Sequence, residues 1–292
     1  MKITPRGNGV LGATVTGFVL DEASTTDLAE LKSAIYREKI LLLSEQRLTS
    51  ERFVAFGRAL GLVETYYEPM YHHPDHREIF VSASTLDDGP QVGVPETGKF
   101  WHADYSYMPV PFGITMIHPR VVPANDGGTY FIDVGKAFRM LPEKLKEAAR
   151  QTSALHSPRR YFKIRPSDVY RPMIEVQQEI EKTTPPAIHP TVISHPVTAE
   201  DVLYISEGFT CELHDEHGRL PDNALLEQLL EATGQLDPTF THPGIHRQRF
   251  TAGDLLIWDN RSLVHHVLHT TEPEPEVWHR VTVHDEHPFH LD

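Results

Sequence analysis

The sequence predicts a mainly β protein with helical insertions, built on a barrel or sandwich core. Three observations carry this. Short apolar runs recur at 40–43, 113–118, 129–133, 202–206, 254–259 and 279–284, bounded by turn residues as strands are. Helical periodicity is confined to four stretches, two of them near the N-terminus. Residues 64–100 and 156–200 show neither period and are rich in Pro and polar or charged residues, the first also in Tyr, His and Gly. Irregular connections of that length are often functional lids over a core.

Taken in order, residues 25–38 place Leu28, Leu31 and Ile35 on one helical face. Ile40 to Leu43 follows as a short buried strand. Residues 50–60 form a second helix with Phe53, Phe56 and Leu60 on one side and Gly61 as its stop. Residues 134–151 read as helical with a break at Pro142. Residues 222–233 carry Leu225, Leu226, Leu229 and Leu230 and stop at Gly234. No internal repeat interrupts this series, and 292 residues suit one β-rich domain.

Composition excludes several classes. A formal net charge of −14 argues against nucleic acid as a partner, because phosphate binding needs clustered Lys and Arg. A local pocket can still oppose that global field and take an anion. Cys211 is the single cysteine, so neither an internal disulfide nor a Cys-rich zinc site is expected, and a cytoplasmic location is. The N-terminus lacks the apolar stretch of a signal peptide, and no run approaches a membrane span, so no membrane association is expected.

The chemistry concentrates in two segments. In Trp101-His102-Ala103-Asp104, residues i and i+2 of an extended chain point to one face, so His102 and Asp104 could reach one ion. Downstream, Trp258-Asp259-Asn260-Arg261 precedes His265, a third ligand, with the adjacent His266 as its rival. Two imidazoles and one carboxylate form the facial set of non-haem Fe(II) oxygenases. They would equally suit a zinc hydrolase or a metal-binding barrel without activity. Arg280 lies fifteen positions after His265, and a strand–turn–strand hairpin would bring it back to the metal. Arg is the natural bidentate partner of a carboxylate, although an ordinary salt bridge is its commoner fate.

Trp-His-x-Asp, then Gly127-Gly128-Thr129, then Trp-Asp-Asn-Arg-x-x-x-His, then His279-Arg280 resemble the taurine dioxygenase-like family of Fe(II)/2-oxoglutarate oxygenases. The resemblance implies a double-stranded β-helix (jelly roll) core and one dioxygenase domain over 1–292, with lid-like insertions near 64–100 and 156–200. It also implies that His102, Asp104 and His265 hold Fe(II). Thr129 and Arg280 would then hold the distal carboxylate of 2-oxoglutarate, with O2 as co-oxidant. The acidic residue that the family carries between the glycines and the Thr is absent here.

Tyr66-Tyr67-Glu68-Pro69-Met70-Tyr71 and Lys163-Ile164-Arg165-Pro166 further resemble the isonitrile-forming subgroup. That subgroup acts on (R)-3-[(carboxymethyl)amino] fatty acids in isonitrile lipopeptide biosynthesis. Such a small-molecule substrate carries two carboxylates around a secondary amine. Lys163 and Arg165 could supply cationic contacts, Tyr66, Tyr67 and Tyr71 hydroxyl donors and an apolar wall, and His269 a further contact. A solvated charged face and ordinary aromatic packing are the plain alternatives for these residues. A conventional hydroxylase of a sulfonate, phenoxy acid or amino acid would share the metal site. A homo-oligomer is compatible with the sequence, which encodes no readable oligomeric signal.

Overall fold

The computed structural model describes residues 1–7, 9–84, 92–124, 127–219, 223–269 and 274–291. The chain is β-rich, and its largest sheet gathers distant segments. In spatial order these are β1 (Lys2–Pro5), β2 (Ala13–Thr16), β3 (Ile40–Leu43), β15 (Leu255–Asp259), β6 (Ile114–Val121), β17 (Glu276–His284) and β4 (Leu62–Glu64). β5 (Phe80–Ser84) also pairs with β17. A three-stranded sheet runs β14 (Ile245–Gln248), β7 (Gly128–Asp133), β16 (Leu263–Leu268). A four-stranded sheet runs β13 (Gly218–Arg219), β12 (Thr210–Asp215), β8 (Ser153–His156), β9 (Ala187–Pro190). β10 (Val192–Ser194) pairs with β11 (Asp201–Leu203). One apolar cluster joins Ile117, Leu256, Trp258 and Trp278 of the largest sheet to Phe131 and Leu263 of the three-stranded one, so these two sheets share a core.

The helices form where their signals stand. α1 (Thr25–Glu38) begins at a capping box between Ser24 and Asp27. α2 (Ser50–Leu60) is capped by Thr49 and buries Phe53, Phe56 and Leu60 against the largest sheet, a contribution of about 1.5–3 kcal/mol per side chain. It ends at Gly61, where a Cβ would lie 2.2 Å from the His284 carbonyl oxygen, so only glycine lets the chain pass. Pro142 separates α3 (Val134–Met140) from α4 (Glu143–Arg150), as expected. α6 (Ala224–Thr233) stops at the left-handed Gly234; residue 222 of its expected start lies outside the described residues.

Three expectations change. The stretch 64–100 contains the buried strand β5, while its residues 85–91 lie outside the described residues. The stretch 156–200 carries α5 (Met173–Thr183) as well as β9 and β10. His265 and Arg280 are not joined by a hairpin: His265 sits on β16 of the three-stranded sheet and Arg280 on β17 of the largest one. The two residues meet across the core rather than along a ladder. Among the described residues, no helix is long and apolar enough to cross a membrane.

Candidate active site

His102 and His265 are brought together by their own backbones. An isolated antiparallel bridge joins them, His102 N–H to His265 C=O at 3.0 Å and the reverse bond at 2.8 Å. Their ring centroids are 4.1 Å apart. Asp104 follows two residues on, where the chain leaves extended geometry through Tyr105 at φ +56. Its Oδ1 lies 3.8 Å from His102 Nε2 and its Oδ2 3.9 Å from His265 Nε2. One donor atom from each of the three residues falls within 4.8 Å of the others, and all three side chains are buried.

The electrostatics suit a cation. Burial, above all, lowers the affinity of both imidazoles for protons, and His265 is pushed well down by burial and by His102. Neutral imidazoles are the form a metal requires. His102 Nδ1 donates to the Phe100 carbonyl at 2.8 Å, which leaves the Nε2 lone pair for a ligand role. Burial would raise the Asp104 carboxyl, but Arg280, His265 and His102 together hold it below the usual carboxylate range. The rival His266 points away: its ring packs against Trp101 and Phe240, at centroid distances of 5.6 and 5.0 Å.

Asp104 is held on every side. Thr115 Oγ1 donates to Oδ2 at 2.9 Å, and Arg280 Nη1 donates to Oδ1 at 2.5 Å. The Asn260 side chain accepts from the Asp104 N–H and donates to its carbonyl, both at 2.8 Å. Arg280 also donates to the Tyr105 hydroxyl at 2.6 Å and lies over the Phe80 ring at 4.0 Å.

A cavity opens beside this cluster, and most of the residues singled out in the sequence line it. Thr129, Arg280, Tyr66, Tyr67, Tyr71 and Lys163 all face it. Tyr66 packs tilted against Tyr67 at 4.4 Å between ring centroids and edge to ring against Tyr71 at 5.2 Å. Burial raises their phenols, so at neutral pH they are uncharged donors. Lys163 lines the same cavity, and Lys99 above all, with Lys163 to a lesser degree, holds the Glu96 carboxyl below its usual range.

Arg165 and His269 stand elsewhere. Arg165 does not line the cavity; its guanidinium bonds Asp168 and Glu179 and sits 3.6 Å from Glu68. His269 Nδ1 pairs with Glu276 at 2.5 Å and Nε2 donates to the carbonyl of Thr97, a cavity-lining residue, at 2.8 Å; His269 itself does not line the cavity.

Sequence reasoning gave no role to Thr115, Asn260, Tyr105, Trp258 or Trp278. Asn260 lies inside the motif already noted, and Thr115 is the one hydroxyl in the run Ile114-Thr115-Met116-Ile117, which was the available signal. Among the described residues, Trp258 Nε1, Trp278 Nε1 and Arg280 Nε are buried without a hydrogen-bond partner, and all three side chains line the cavity. Unpaired buried N–H groups are costly, and an acidic ligand beside a cation would satisfy them. The residues present therefore fit an iron with a chelating acid.

The family model for the taurine catabolism dioxygenase TauD, TfdA family matches residues 2–282. The chain belongs to that family. It is 30% identical over 270 residues to the (S)-phenoxypropionate/alpha-ketoglutarate-dioxygenase of Delftia acidovorans, across 91% of this chain and 88% of that one. It is 27% identical over 275 residues to pentalenolactone F synthase of Streptomyces arenae, across 91% and 89%. A crystal structure of a taurine dioxygenase from Burkholderia xenovorans shares the fold, with a TM-score of 0.75 at 22% identity over 98% of this chain and 90% of that one. This TauD/TfdA chain is thus an Fe(II)/2-oxoglutarate-dependent dioxygenase, and Fe(II), 2-oxoglutarate and O2 are its cofactors.

Proposed function

We propose that this enzyme converts an (R)-3-[(carboxymethyl)amino] fatty acid to the (R)-3-isocyano fatty acid by oxidative decarboxylation, as a single domain over residues 1–292 on a jelly-roll core. The segments near 64–100 and 156–200 act as its lids. The observation that carries this reading is one cavity lined by two cationic side chains, Arg280 and Lys163, with three tyrosines. With Arg280 given to 2-oxoglutarate, Lys163 and the tyrosine hydroxyls remain to receive a substrate that carries carboxylates around an amine.

His102, Asp104 and His265 would hold the iron, while Thr129 and Arg280 would hold 2-oxoglutarate. Bound there, the iron with 2-oxoglutarate and O2 supplies the oxidising equivalents for removing hydrogen from the substrate. Lys163 anchors one substrate carboxylate from the lid. Tyr66, Tyr67 and Tyr71 donate hydroxyl hydrogen bonds and wall off water, which directs oxidation to the methylene between amine and carboxylate. His269 reaches the cavity wall through the Thr97 carbonyl. Loss of CO2 and four hydrogens from the substrate gives the isonitrile, and each pair of hydrogens uses one 2-oxoglutarate and one O2.

A second reading is conventional hydroxylation of a carboxylic acid, favoured by the identity to the phenoxypropionate dioxygenase. Succinate stoichiometry separates the two. The isonitrile reading expects two succinates per product formed; a ratio of one with a hydroxylated product contradicts it.

A further inference from the structure

The Asp104 carboxylate offers both of its oxygens to the imidazoles: Oδ1 at 3.8 Å from His102 Nε2 and Oδ2 at 3.9 Å from His265 Nε2. Left free, it could chelate an ion through both. That matters because the facial set works by leaving positions open. In a six-coordinate iron, three protein donors and a chelating 2-oxoacid leave one position for O2. A carboxylate binding through two oxygens would consume it.

We propose that Thr115 is a positioning residue that keeps Asp104 a one-oxygen ligand, and so keeps the O2 position open. Thr115 lies on β6 with its side chain fully buried, between Trp258 of β15 and Thr282 of β17. A hydroxyl there is costly unless bonded. Among the described residues its one hydrogen bond is the 2.9 Å donation to Asp104 Oδ2. Oδ1 is engaged differently, by Arg280, whose guanidinium is the tip of a long side chain on the cavity wall. A cation held at Oδ1 would displace Arg280 by charge. Thr115 carries no charge and stays on Oδ2.

The tether works only if the backbone cannot follow the carboxylate, and Asn260 supplies that condition. Its amide closes on both peptide groups of Asp104 and also donates to the Phe112 carbonyl at 3.0 Å. Asn260 is fully buried, and its own N–H bonds the Gly113 carbonyl at 2.9 Å. Asp104 is therefore fixed at its main chain by Asn260 and at one oxygen by Thr115, with one oxygen left for the metal.

This inference rests on Asp104 being an iron ligand. The test uses the full chain loaded anaerobically with Fe(II) and 2-oxoglutarate, and nitric oxide as the probe of the open position. Thr115→Val removes the hydroxyl and keeps the shape and β-branching. The expected result is unchanged Fe(II) and 2-oxoglutarate binding with nitric oxide affinity, read from the nitrosyl EPR signal, reduced about 10–100-fold. Thr115→Ser should restore it. Wild-type nitric oxide affinity in Thr115→Val, loss of Fe(II) itself, or no rescue by serine would overturn the proposal. Wild-type Fe(II) affinity in Asp104→Ala would overturn the ligand assignment beneath it, independently of the nitric oxide titration.

Discussion

Arg280 Nη1 donates to Asp104 Oδ1 at 2.5 Å, so the cavity's guanidinium rests on the carboxylate proposed to hold the metal. A cation and Arg280 then compete for one oxygen. A bound acid would give Arg280 a second anionic partner and relieve the competition, which would couple cosubstrate to metal.

Arg280→Ala should therefore act with opposite signs. 2-Oxoglutarate affinity should fall about 10–100-fold, since a buried charged hydrogen bond is lost. Fe(II) affinity without 2-oxoglutarate should hold or rise, because a competing positive charge is gone. Anaerobic titration of the Fe(II)–2-oxoglutarate charge-transfer band and of Fe(II) alone reads both. Unchanged 2-oxoglutarate affinity removes Arg280 from that role.

Lys163→Ala should raise substrate KM about tenfold or more while leaving Fe(II) and 2-oxoglutarate binding intact, the signature of a lost substrate anchor. Equal loss of cosubstrate binding would mean that Lys163 serves 2-oxoglutarate instead.

Arg165 ties the 64–100 and 156–200 stretches together through Glu68 on one side and Asp168 and Glu179 on the other. If it acts through that network, Asp168→Asn, whose side chain is away from the cavity, should reproduce the rise in substrate KM of Arg165→Ala. A silent Asp168→Asn alongside an impaired Arg165→Ala would place Arg165 directly on the substrate.

Stability should fall on acidification below the ordinary histidine range. Burial lowers His118 and His266 to about 4 and His156 and His279 to about 3, in each case as the largest cause. With folded values below the unfolded value of about 6.5, the unfolded chain binds more protons as pH drops. The stabilisation is full above pH ~6.5 and is lost progressively toward pH ~3. The urea midpoint should decline across that window; a flat profile would contradict the burial of these rings.

Helices α1 to α4 and α6 were legible because their signals are local: Leu28, Leu31 and Ile35, then Phe53, Phe56 and Leu60 at helical spacing, Pro142, and Gly234; α5 was not. The metal cluster was legible because His102 and Asp104 are close in sequence and His265 follows an apolar strand. β5, β8 and β12 were not: Ser82 and His156 put polar side chains at buried positions of short strands, and β12 alternates only over Cys211 to His214, too short a run to stand out. The clamp on Asp104 was hidden for another reason. Asn260 lies 156 positions away from it, and only the closing of the sheets brings its amide to that peptide. The ion pairs of Arg165 were hidden because the acids that bond it come from the next turn and from α5.

Mass spectrometry of a single reaction tests the proposed function most directly. The full chain is reconstituted anaerobically with Fe(II), 2-oxoglutarate and (R)-3-[(carboxymethyl)amino]butanoate, then exposed to O2. The expected result is the (R)-3-isocyano acid with substrate-dependent succinate. Succinate with only a hydroxylated product, or no substrate-stimulated succinate at all, would contradict it.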